Sequence, residues 1–186
     1  ALSIIIGEFD RTRAELEFEK DRITHIQEQA DRHPVLPAAN RRVLVRELAR
    51  IINRAAQTRT TSTLAVFSLR GVERVRLEQG RAAADRILTV AVQTLDKGLR
   101  ASDIVSSLGG ADFGVVLTLT EGRPAEEKIG RLSAQIHAAL RDRGIDGDSM
   151  EIAWGMASFG DGDDAEQVLS AADRDLLARR NGLGKI

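Results

Sequence analysis

The sequence contains no cysteine, so disulfides, thiol nucleophiles and cysteine-ligated zinc are excluded. Its three histidines, His25, His33 and His137, are scattered and make no metal-ligand spacing such as HxxxH. An excess of charge of one sign is missing too. The net charge of −1 gives no general attraction to nucleic acid or to an anionic membrane, although a local basic patch would be hidden in that sum. Long hydrophobic runs are also absent: Ile4-Ile5-Ile6, the longest near the start, is far too short to cross a bilayer. No basic-then-apolar leader with a cleavage site is visible, and a first residue of Ala1 suits an excised piece of a longer protein.

What is present points to a packed domain. At 186 residues and 42% hydrophobic, the chain is long enough for one full domain plus an accessory element, and global disorder is not expected. The composition suits a cytoplasmic soluble domain, with no nucleic acid partner and no membrane insertion of this segment. Over residues 1–32, Leu2, Phe9, Leu16, Ile23 and Ala30 recur every seven positions, with Thr12 and Glu19 weakening the companion seam. Two readings stand: an amphipathic helix lying on the domain, or a coiled-coil linker that joins an upstream sensor to it and supports a homodimer. Pro34 and Pro37 break that helix, so the expected division is 1–32 and 33–186.

Beyond the break, Val43, Leu44, Leu48, Ile51 and Ile52 line one face of a helix over about 40–57. Residues 60–70 turn extended, and helices follow over 71–79 and 81–99. Two apolar runs, Ile104–Leu108 and Phe113–Leu119, flank Gly109-Gly110-Ala111-Asp112, which is a hairpin signal. A helix over 124–140, a strand over 151–159 and a helix over 164–180, N-capped by acidic residues, complete the chain. The order predicts an α+β fold: a ferredoxin-like, nucleotide-cyclase-type antiparallel sheet flanked by helices, with an N-terminal extended helix.

Glycine pairs at a hairpin tip are explained most simply by turn chemistry, because glycine takes positive φ cheaply. A bare backbone would also let a phosphate or metal approach. The context here is longer than the pair. Arg100-Ala101-Ser102-Asp103 stands five residues before Gly109-Gly110-Ala111-Asp112-Phe113, and together they resemble the RxxD…GGDEF segment of the GGDEF (diguanylate cyclase) family. His33–Arg42 resembles the family's DxLTGLxNRR opening, keeping Asn40, Arg41 and Arg42. Ala153-Trp154-Gly155-Met156-Ala157 sits where the family has SxGxA, and Ala172–Arg179 is similar to ADxALYxAK with one residue fewer.

The resemblance implies an enzyme that joins two GTP molecules across a dimer, with magnesium held largely by the first Asp of DxDxFK and the third residue of GGDEF. In this sequence Ser68 and Ala111 occupy those positions, and Arg70 replaces the second acid. The magnesium site is therefore expected to be lost and no cofactor is expected. Asp112 survives at the fourth position, directed to the other face of the strand. Asp85, Gly109, Gly110 and Arg179 are the remnants of the nucleotide site, with Arg76 and Ala84 replacing the family's Asn and second Gly. Arg100 and Asp103 match the family's inhibitory cyclic di-GMP site, where Arg forks onto guanine and phosphate and Asp accepts from the guanine edge. Three functions follow: a silent cyclic di-GMP receptor, a nucleotide-free dimerisation or relay module serving an attached sensor or effector, or a cyclase with residual activity.

Overall fold

Of the nine residues Ser62–Arg70, only Ser68 and Arg70 escape full burial. A strand that is apolar on both sides has to lie inside a sheet that is itself covered twice. A computed structural model of the chain, which describes residues 36–145 and 150–183 together with Leu16, Lys20 and Asp31, places it so. This segment is β1; Ile104–Gly109 is β2, Asp112–Leu117 β3 and Glu151–Phe159 β4. The sheet order is β2-β3-β1-β4, every neighbour antiparallel. The helices are α1 (Arg41–Thr58), α2 (Val72–Gln79), α3 (Arg81–Gly98), α4 (Gly122–Arg141) and α5 (Ala165–Leu183). The result is the α+β, ferredoxin-like sheet that the element order predicts.

Strand alternation divides the core in two. Ala65, Phe67 and Leu69 join Phe113, Val115 and Leu117 beneath α2, α3 and α4. Leu64, Val66 and Val116 point the other way, against Leu44 and Leu48 of α1 and Leu169, Ala172 and Leu176 of α5. Asn40 caps α1, its Oδ1 accepting from Val43 N at 3.1 Å. Asp164 does the same for α5, accepting from Glu166 N and Gln167 N, as the acidic start of that helix led us to expect.

Each outer edge of the sheet carries a local contact. Ala39 makes a parallel bridge to Ser106 of β2, and Ser107 N donates to Ala39 O at 2.8 Å. On β4, Met156 N donates to the Asp175 carboxylate at 2.8 Å. Edge groups tied in this way are closed to pairing with another chain.

One element is shorter than its hydrophobic run implies. The stretch Phe113–Leu119 reads as a strand throughout, but β3 stops at Leu117. Thr118 N turns to Asp103 Oδ1 (3.1 Å) and Leu119 N to Ser62 Oγ (3.1 Å), which takes both out of the ladder. The chain divides into two compact units, Ala1–Arg32 and His33–Ile186. Of the expected linker helix over 1–32, only Leu16, Lys20 and Asp31 are described, each helical; the rest of the heptad stripe lies outside the described residues.

Gly155 fixes how closely α5 approaches β4: a Cβ there would run into the backbone of Ala172 and Leu176. Because backbone cannot swing aside, Gly155→Ala is expected to lose about 3 kcal/mol in urea unfolding, the upper end of typical overpacking costs. Gly130→Ala, inside α4 with nothing within 4 Å of the new methyl, should gain about 1 kcal/mol from helix propensity.

Candidate functional site

The β2–β3 hairpin is turned by Gly110 and Ala111. Gly109 (φ 107°) absorbs a register shift after Ser107, and Gly110 has φ 58°. An added Cβ would meet nothing within 4 Å at either glycine. Backbone conformation, not crowding, therefore demands glycine here. Ala111 O accepts from Leu69 N at 3.0 Å, which fastens the turn to the end of β1. The Ala111 methyl packs on the α2–α4 core.

Ser68 sits at the centre of this end of the sheet, paired with Asp112 on one side and Ala153 on the other. Alternation directs Ser68 and Asp112 to the α1/α5 face. Asp173 of α5 feels Asp112: burial raises its carboxyl above 3.8, the Asp112 charge raises it further, and Arg41 opposes both. Arg41 also bonds Glu166 at 2.7 Å. Arg70, at the position of the family's second acid, pairs with Glu151 across the strands at 2.9 Å. Among the described residues no group of three or more His, Asp or Glu could hold a metal ion.

The remaining nucleotide-site candidates are dispersed. Asp85 lies on α3 with Arg81 at 3.8 Å, and Arg76 on α2 stands 3.6 Å from Glu73. Arg179 is committed elsewhere. It donates to Asp175 (2.7 Å) and Glu126 (2.8 Å), and its guanidinium lies 4.2 Å from the centre of the Trp154 ring. Burial alone would lower its pKa, but the two carboxylates outweigh that and raise it. Arg179 thus braces α5 against α4 and β4 with two of its donors on carboxylates, while the side chain also lines an open pocket with Trp154, Leu176 and Arg180.

Arg100 and Asp103 have opposite environments. The Arg100 side chain is exposed, whereas that of Asp103 is 2% exposed. Asp103 Oδ2 accepts from Lys128 Nζ (2.7 Å) and Arg100 N (3.1 Å), and Oδ1 accepts from Thr118 N (3.1 Å) and Thr118 Oγ1 (3.3 Å). Burial pushes this carboxyl up, but the bonds from Lys128, Arg100 and Thr118 prevail and hold it below 3.8. The acceptors expected to read a guanine edge are therefore engaged within the chain. Sequence reading missed Lys128, Glu126 and the edge-capping role of Asp175. Lys128 is 25 residues from Asp103 and Glu126 is 53 from Arg179, and no local pattern announces either pair.

An α+β sheet of this order, with a Gly-Gly hairpin abutting the end of its central strand, defines a nucleotide-cyclase-type fold. The family model described as "Diguanylate cyclase, GGDEF domain" matches residues 37–183, and the chain belongs to the GGDEF family. Among curated proteins it is similar to diguanylate cyclase DgcP of Pseudomonas aeruginosa, 26% identical over 167 residues. That match covers 88% of this chain and 25% of DgcP, so the chain spans about a quarter of that relative. Among solved structures its fold is similar to that of the coiled coil and GGDEF domain of Caulobacter crescentus DgcB in complex with c-di-GMP. There the TM-score is 0.81 at 18% identity, over 96% of this chain and 95% of the other. The diguanylate cyclase SiaD of P. aeruginosa, solved with its activator SiaC, is also similar: TM-score 0.69, 20% identity, 97% of this chain and 73% of that one.

The Asp103–Lys128 pair yields a prediction with a pH signature. Lys128→Met strands a buried carboxylate and should cost about 3–5 kcal/mol at neutral pH in chemical denaturation. Since the folded state holds Asp103 below its ordinary value, its contribution is complete above pH 3.8 and disappears as pH falls through the lower folded value. The gap between wild type and Lys128→Met should therefore narrow in acid. A gap that is constant with pH would contradict the assignment.

Proposed function

We propose that this is a catalytically silent GGDEF domain that regulates an attached or partner domain by contact and does not make cyclic di-GMP. The observation that carries this reading is the chemistry at the meeting of β1 and the hairpin. Magnesium takes hard oxygen donors, with carboxylates foremost. Ser68 offers a neutral hydroxyl, and Ala111 offers a methyl packed on the core. Asp112 is the one carboxylate among the residues paired with Ser68, and it stands at the fourth position of the motif instead of the third. This donor set does not fit a magnesium ion that must neutralise a triphosphate. Groups that act as a unit in catalysis lose orders of magnitude in rate when one is removed. The two carboxylates on Arg179 offset the charge it would offer a triphosphate, which supports the same reading. Incubation of the domain with GTP and magnesium should give no cyclic dinucleotide by chromatography; turnover that disappears in Asp112→Asn would overturn the proposal.

A second reading, a cyclic di-GMP receptor, is favoured by the exposed Arg100 and by the ligand present in the DgcB structure. Against it stands the closed state of Asp103, whose four acceptor bonds would have to be surrendered to a guanine edge. Calorimetric titration of cyclic di-GMP separates the two. Contact signalling predicts no saturable heat; saturable heat that Arg100→Ala abolishes would establish the receptor. The wider setting belongs to this proposal as well: a homodimer joined through residues 1–32, a sensor or effector in the same chain, and a cytoplasmic location. No helix among the described residues is long and apolar enough to cross a membrane.

A further inference from the structure

We propose that the groove between α1 and the turns flanking the β2–β3 pair docks an acidic, aliphatic segment of a partner protein. The inference deepens the contact-signalling reading by giving it a surface and a partner chemistry. The groove lies at the end of the sheet away from the glycine hairpin and encloses about 590 Å³.

Its shape follows from the sequence of α1. Leu44, Leu48 and Ile52 form the stripe buried in the core, while Val43, Glu47, Arg50, Ile51 and Arg54 run beside it at helical spacing and line the groove. Opposite them stand Ala101 and Ser102 before β2, Ile104 within it, and Thr118 and Leu119 after β3.

Three features indicate what occupies this groove. First, Leu119 is 72% exposed and is held at φ 52°, a left-handed conformation that disfavours a branched side chain. The described domain gives this side chain no burial in return, and a partner's apolar side chain would. Second, charge around the groove is unbalanced. Glu47, the one acid among the described lining residues, bonds Arg50 at 2.8 Å, and Arg54 is exposed on the same helix. Guanidinium groups at the rim of an apolar cleft suit carboxylates. Third, Val43, Ile51, Ile104 and Leu119 make much of the lining surface apolar, and among the described residues it carries no aromatic ring on which a base could stack. Leucine or isoleucine anchors flanked by Asp or Glu satisfy all three, in the manner of an amphipathic helix laid in a groove.

The test is an amide-resolved NMR titration of the full 186-residue chain. Its probe is a synthetic helical peptide of leucines at positions i, i+3 and i+7 with glutamates between. A lysine-for-glutamate peptide and cyclic di-GMP serve as comparators. The expected result is saturable shifts centred on Ile51, Ile104 and Leu119 with the acidic peptide alone. Arg54→Glu should weaken that binding at least tenfold. Leu119→Gly should also weaken it at least tenfold while raising the melting temperature, because glycine is at ease at positive φ. Absence of saturable shifts at these residues, an equal response to the lysine peptide, or shifts there with cyclic di-GMP instead would overturn the proposal. So would Leu119→Gly binding as well as wild type. Turnover of GTP, by contrast, would remove the silent-domain reading and leave these shifts as they are.

Discussion

A strand buried on both faces dictates the rest of the domain. Leu64 and Val66 on one side of β1, and Ala65, Phe67 and Leu69 on the other, each require an apolar cover. The chain supplies α1 and α5 to the first face and α2, α3 and α4 to the second. With β1 in the middle, β3 and β4 pair along its two edges and carry Asp112 and Ala153 to either side of Ser68. The site is thus a consequence of register. Antiparallel pairing brings those three residues together whether or not any of them can hold a metal.

Arg179 and Asp103, both at motif positions, make their recorded contacts within the domain. Arg179 stacks on Trp154 and ties α5 to α4, while its partner Asp175 also accepts from Met156 N on the outer edge of β4. Asp103 joins the start of β2, the end of β3 and α4 through Lys128 and Thr118. A buried ion pair of this kind gains little over a well-packed apolar pair, but losing one partner is costly. The effect is to tie the turn before β2 to β3 and α4, with both Asp103 oxygens accepting within the chain.

The fold was largely legible because it is written in local periodicity. The helical stripe of Leu44, Leu48 and Ile52 and the doubly apolar run Leu64–Phe67 each state which faces are buried. The end of β3 was not legible, because Leu119 is as apolar as Leu117 and only the hydrogen bonds of Thr118 and Leu119 to distant side chains stop the strand. At the candidate site, motif spacing located Ser68, Ala111, Arg100 and Asp103 but not their surroundings. Whether Asp103 is open or closed depends on Lys128, a residue on another helix with no motif of its own. Sequence gave the positions of functional groups; availability was decided by tertiary partners.

The most direct test of a silent metal site is paramagnetic. Manganese, added to the labelled domain with a non-hydrolysable GTP analogue, broadens amides near any bound ion. If Ser68 and Ala111 leave no seat for the cation, the amides of Ser68, Leu69 and Asp112 keep their intensity in the native chain and lose it in the double variant Ser68→Asp, Ala111→Glu. Selective broadening of those three amides in the native chain would contradict it.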